Sequence, residues 1–221
     1  MISYQLQRHR RTHNIKIKIA PTAEVIVVAP SDCPTRFIDS FVQQHQEWIE
    51  TALAKVRSQR KAIADPDKIQ VFGKTYQKKI VFTAAQQIGI RIVGDEMHVN
   101  PVSQTAASIQ KTIEQFLKNT AAKYIIPRTH QLADTMGITF HNISLKNQKT
   151  RWGSCSSDGN LNFNWRLVHS PPVIIDYVII HELAHRKEMN HSADFWQIVA
   201  QFDPEHLKHR GWLKRQGMAL G

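Results

Sequence analysis

Two cysteines, Cys33 and Cys155, are the only thiols in 221 residues, and they lie far apart with no C-x-x-C spacing. Neither a disulfide framework nor a cysteine zinc site can be built from them, and this usage suits a reducing cytosol. No apolar run approaches the length of a membrane span. The opening residues, Met1 to Gln7, run straight into Arg8, His9, Arg10 and Arg11 without the apolar core of a secretory leader. A soluble, cytoplasmic protein with no membrane partner is therefore expected. Internal repeats and low-complexity segments are also missing. Acidic side chains are few: 18 Asp and Glu against 29 Lys and Arg leave a net charge of +11. The excess is even along the chain, with 15 basic and 9 acidic residues in positions 1–100 and 14 and 9 beyond, so it is not a basic tail. Such a field favours acidic partners, nucleic acid among them, although no nucleic-acid motif accompanies it.

What remains is an ordinary globular composition, 42% hydrophobic and 21% charged, long enough to bury a core as one domain or two small ones. Ile15 to Ile19 alternates with period two, and Val25 to Val28 follows after a turn at Ala20-Pro21-Thr22, predicting a hairpin. Its basic approach, Arg8 to Arg11, is either a grip for an anion or a solvated strand end. Phe37, Ile38, Phe41, Val42, Trp48, Ile49, Ala52, Leu53 and Val56 recur at helical spacing, predicting one helix over 35–61, which Asp65-Pro66-Asp67 ends. Short strands are expected at 69–72, 76–82, 88–93 and 97–99. With the first hairpin they make residues 1–100 a β-rich N-terminal module around that helix. A second helix starts near Ser103, is expected to kink or break at Pro127, and stops at Gly137. Ile138 to Leu145 and Thr150 to Ser154 read as strands, and the Ser156-Ser157-Asp158-Gly159 turn leads into another at 160–165. Ser192 is expected near the start of one further helix, and Asp203-Pro204-Glu205 opens the last.

Chemistry concentrates between Val178 and His191. On a helix His181 and His185 stand one turn apart on one face, so their imidazoles can converge on one metal ion, with Glu182 beside them as a general base. The apolar surround of Ile174, Ile175, Tyr177, Val178, Ile179, Ile180, Leu183 and Ala184 suits a helix under a dry site; the competing possibility is a core helix with two histidines at its polar edge. His191, six residues past His185, is a candidate third ligand. Glu205, twenty residues past His185, is an alternative, with His206 and His209 nearby. Three protein ligands leave the fourth position of zinc open, the mark of a catalytic site. Asp176 lies off the ligand face and is expected only to cap its helix.

Arg151-Trp152-Gly153-Ser154-Cys155-Ser156, Gly159 to Leu167 and the histidine helix through Asn190-His191-Ser192 and Phe195-Trp196 resemble the YgjP-like metallopeptidase family. The N-terminal half resembles it in outline. The resemblance implies an α+β fold: a small zincin-like domain over 101–221, with a mixed sheet, a backing helix and the H-E-x-x-H helix, related to SprT-like and WLM-type peptidases. It implies that His181, His185 and His191 bind Zn2+ and that Glu182 is the catalytic acid/base. One departure concerns the chain path: Glu188 stands where metzincins, which share the histidine spacing, have a glycine, so a bend at Asn190 in left-handed geometry is expected instead.

The expected activity is zinc-dependent hydrolysis of peptide bonds through a metal-activated water. The second strand of the 150–166 hairpin, or its neighbour, would offer an edge to an extended peptide. Asn162 and Asn164, alternating on one face, are candidates for substrate contact or for strand packing. Cys155 is expected to be a small buried side chain, the alternative being a cysteine that binds the zinc and blocks water as a regulatory switch. Two other functions are compatible with the residues: a nucleic-acid-associated zinc protease acting on DNA-bound proteins, and a non-catalytic zinc-stabilised binding module, for which a retained Glu182 has no use.

Overall fold

The computed structural model of the chain describes residues 2–20, 23–63, 67–83, 88–148 and 150–220, with 55–63 and 216–220 described by their backbone alone. Two compact units divide it, Met1–Asp65 and Pro66–Gly221. In the first, strands β1 (Gln5–His9), β2 (Lys16–Ile19) and β3 (Val25–Pro30) form a sheet ordered β1-β3-β2. β2 pairs antiparallel with β3, giving the expected hairpin; Pro21 and Thr22 of its turn lie outside the described residues. β1 was not legible in the sequence. It runs parallel to β3 with every residue exposed, so it carries no alternation to read. Arg8 on β1 donates to the carbonyls of Pro30, Ser31 and Cys33, at 2.6 Å to the last, so the basic approach holds a loop in place. The expected helix over 35–61 is two helices, α1 (Thr35–Gln44) and α2 (Gln46–Ile63). His45 leaves helical geometry between them (φ −102, ψ 15) while its ring nitrogen donates to the Phe41 carbonyl. Ile38, Val42 and Ile49 continue the apolar stripe across the break and pack on Val25, Val27 and Ala29.

The second unit opens with β4 (Lys68–Val71), β5 (Lys74–Ile80), β6 (Gly89–Val93) and β7 (Glu96–Asn100), ordered β4-β5-β7-β6. Helix α3 (Ala106–Met136) follows. A second sheet, ordered β8-β10-β9, holds β8 (Asn142–Lys146), β9 (Gly153–Cys155) and β10 (Asn160–Asn164); β10 pairs parallel with β8 and antiparallel with β9. A 3-10 turn (Trp165–His169) leads to α4 (Pro172–Ala184), and α5 (Ala193–Phe202) and α6 (His206–Leu220) close the unit. The α+β expectation holds. The boundary after residue 100 does not: Met97 and Val99 of β7 are wholly buried in the same core as Ile113 and Ile125 of α3. Period-two alternation shows that a strand has a buried face but not which element covers it. The chain divides instead at Asp65-Pro66, within the break seen in the sequence; residues 65 and 66 themselves lie outside the described residues.

Helix α4 is the centre of this unit. Ile175, Ile179 and Leu183 are wholly buried and Tyr177, Val178 and Ile180 nearly so, which leaves little of its circumference for water. Its entry is fixed by the β4–β5 turn: Phe72 N–H donates to Val168 O at 2.7 Å, and Gly73 lies so close to Pro171 that a Cβ would sit 3.0 Å from its ring. Helix α3 runs unbroken for 31 residues through Pro127. That ring lies on an exposed side of the helix, where water can take the carbonyl freed by the missing N–H. Gly137, in left-handed geometry (φ 60), ends α3 as expected. Asp176 does not cap α4, whose N-cap is Pro171. It accepts from Arg128 Nε at 3.1 Å and Nη2 at 2.7 Å and from Tyr124 Oη at 3.1 Å, joining α3 to α4.

No helix among the described residues is long and apolar enough to cross a membrane. The ion pair between Arg128 and Asp176 ties α4 to α3. Asp176→Asn is expected to lower unfolding free energy by about 1–3 kcal/mol, the usual range for a part-buried charged hydrogen bond. A urea titration unchanged from the parent would show that apolar packing alone orients α4.

Candidate metal centre

The last turn of α4 carries His181, and His185 sits at its C-cap. The chain leaves the helix through Arg186, Lys187 and Glu188, whose N–H groups return to Leu183 and Ala184 carbonyls. Their side chains fasten the exit. Arg186 donates to Thr139 O and Ser157 O, and Lys187 to Met136 O. The bend needs no left-handed residue at Asn190, because the only non-glycine residues with positive φ among those described are Ala23 and Phe72. Glu188 closes it instead: its carboxylate accepts from Asn190 N–H at 3.3 Å and its carbonyl accepts from His185 Nδ1 at 3.1 Å. The second contact fixes the tautomer of His185 and leaves its Nε2 free to ligate.

His191 returns to face His181, with their Nε2 atoms 3.0 Å apart. One donor atom from each of His181, His185 and His191 lies within 4.8 Å of the others. Nitrogens bound to one tetrahedral zinc stand about 3.3 Å apart, given Zn–N bonds of about 2.0–2.1 Å, so the cluster has the right size and donor chemistry for such an ion. Phe195 makes the floor. Wholly buried, its ring centroid is 4.9, 4.5 and 4.8 Å from those of His181, His185 and His191. Ser192 caps α5 by accepting from Phe195 N–H, which sets where this floor begins. Trp196 stacks on His191 at 5.8 Å and on His206 at 5.9 Å, and the Arg210 guanidinium lies 4.6 Å over its ring.

Burial dominates the electrostatics. It drives His181 down to about 3, with the charges of His185, His191 and Arg210 acting the same way, so the ring is neutral and available as a ligand. His185 is lowered chiefly by burial as well. Glu182 is 6% exposed, and burial raises its carboxyl to about 8 against the opposing pull of the Arg151 guanidinium. Arg151, the first residue of the Arg-Trp-Gly-Ser-Cys run, is thus a charged neighbour of Glu182.

The other candidates lie elsewhere. Glu205 is an exposed partner of Lys208. His206 stacks on Trp196, and His209 Nδ1 is 2.8 Å from the buried carboxylate of Asp203. Asn164 is not placed for substrate: it is 2% exposed, donates to Gln148 O at 2.7 Å, and accepts from Arg166 N–H as cap of the 3-10 turn. Asn162, half-buried, donates across the hairpin to Ser154 Oγ at 3.3 Å. Of the two strands offered as an edge, the structure leaves the neighbour of the second one outermost. β10 is central in its sheet and β9, the first strand of the hairpin, is the outer one.

The family model for the YgjP-like metallopeptidase domain matches residues 13–216. No curated protein matches the chain. Among solved structures, the metallopeptidase zymogen of Methanocaldococcus jannaschii jannalysin is 22% identical, with the match covering 42% of this chain and 95% of that one at a TM-score of 0.38. The metallopeptidase zymogen of Pyrococcus abyssi abylysin is 23% identical, covering 41% and 93% at 0.36. Each match takes in nearly all of the neighbour but less than half of this chain. The family match runs over nearly the whole chain, and on it the protein belongs to the YgjP-like metallopeptidases and is a metal-dependent peptidase.

Proposed function

We propose that the metal is zinc, held by His181, His185 and His191, and that Glu182 is the general base of peptide hydrolysis. The observation that carries this is the convergence of three imidazoles beside one buried carboxyl that is not among the three grouped donors. An all-imidazole set of three suits a borderline cation, and zinc among these is redox-inert. A closed structural site would need a fourth protein donor, and the cluster among the described residues has three. When bound, the metal supplies Lewis-acid chemistry, lowering the pKa of water and polarising a carbonyl oxygen.

The chain's own residues do the rest. Glu182 takes a proton from the attacking water and returns it to the leaving nitrogen, so a single carboxyl serves both halves of the reaction. Burial, which raises the carboxyl to about 8, favours the half of the exchange in which it holds the proton for the leaving nitrogen. The Arg151 guanidinium pulls toward the ionised form that takes the proton from water. Phe195 and Trp196 keep apolar surface against the imidazoles, which strengthens every charge interaction in the site. Strand β9, beside α4 and outermost in its sheet, would take an extended peptide by backbone pairing.

Glu182→Gln is expected to keep the metal and the fold while peptide cleavage falls by about a hundredfold or more. Cleavage at the parent's rate would remove the general-base role. His191→Ala is expected to weaken zinc affinity, read by titration against a chromogenic chelator, far more than Glu205→Ala. The reverse order would move the third ligand to the end of the chain.

A further inference from the structure

Gly153 on β9 occupies a position where a side chain has no room. A Cβ built there would lie 2.6 Å from Glu182 Cγ, 2.6 Å from its Oε1 and 2.8 Å from its Cδ, and these are its three nearest atoms. Non-bonded carbons rest at about 3.5–4.0 Å. The backbone does not ask for glycine: Gly153 is not among the positive-φ glycines, and it sits in regular strand register opposite Phe163. Glycine in a strand interior gives up packing and backbone entropy, so one without a conformational reason marks a close approach. What approaches here is the carboxyl end of Glu182, buried where α4 packs on β9.

We propose that Gly153 is a positioning residue, its bare Cα forming the seat that fixes the Glu182 carboxyl between α4 and edge strand β9. This rests on Glu182 being the general base. The neighbours that define the seat are unequal in stiffness. β9 is held to β10 and α4 is packed all round, so a new methyl group at 153 is accommodated by turning the Glu182 side chain away. The imidazoles are not among the nearest atoms to that methyl group, so the metal centre is spared. The effect is therefore specific: the metal stays and the base is displaced.

The test is Gly153→Ala in the metal-loaded full-length protein, with zinc affinity, kcat and KM on a cleaved library peptide, and thermal midpoint measured together. Zinc affinity and KM are expected to stay at the parent's values while kcat drops about a hundredfold, the order of effect an ångström of misplacement produces. The same substitution is also made in Glu182→Ala, which lacks the three colliding atoms. There it is expected to raise the thermal midpoint, as replacing a strand glycine does when space allows, whereas in the parent it lowers it. Parental kcat in Gly153→Ala, or equal midpoint shifts in the two backgrounds, would overturn the proposal. A parent that cleaves no peptide, with the two shifts still different, would sink the catalytic reading of Glu182 and leave the seat standing as a packing fact.

Discussion

Three imidazoles can share one cation only if all point at one place, and in this protein the end of α4 and the approach to α5 turn them toward one another. His181 loses its charge because it is taken out of water among its own kind. Phe195 lies against all three rings, so one apolar floor spaces them. The rest of the second unit can be traced from that floor. Ile175, Ile179 and Leu183 sink α4 into the core, and Arg128 and Tyr124 hold Asp176 on its other side. Arg186 and Lys187 pin the exit that lets His191 come back.

Glu182 belongs to the same helix but faces a different neighbour. One residue on from His181 it turns toward β9, where its carboxyl lies against the hairpin strand. The centre is therefore made of two contacts at right angles in role: imidazoles on the apolar floor of α5, and a carboxyl on the bare backbone of a sheet edge. The first sets what is bound, and the second sets where a proton can be handed over.

Much of this was legible because it is local. Two histidines one turn apart, a serine cap at 192 and a glycine stop at 137 each depend on residues within a few positions, and the structure has all three where the spacing puts them. What was not legible is what depends on distant partners. Strand alternation at 97–99 could not show that α3 covers it, so the unit boundary was misplaced. Asn164 reads as either a substrate contact or strand packing until Gln148 and Arg166 are seen to use it up. Asp176 looks like a cap until Arg128, 48 residues away, reaches it. Gly153 reads as one residue of the strand at 150–154, and only the approach of Glu182 explains it.

The most direct test of the central claim is the position of the metal itself, by anomalous scattering at the zinc absorption edge from crystals of the zinc-loaded protein. One peak about 2.0–2.1 Å from a nitrogen of each of His181, His185 and His191 is the expected result. A peak that lacks His191, or one that forms away from the end of α4, would contradict the convergence on which the proposed chemistry stands.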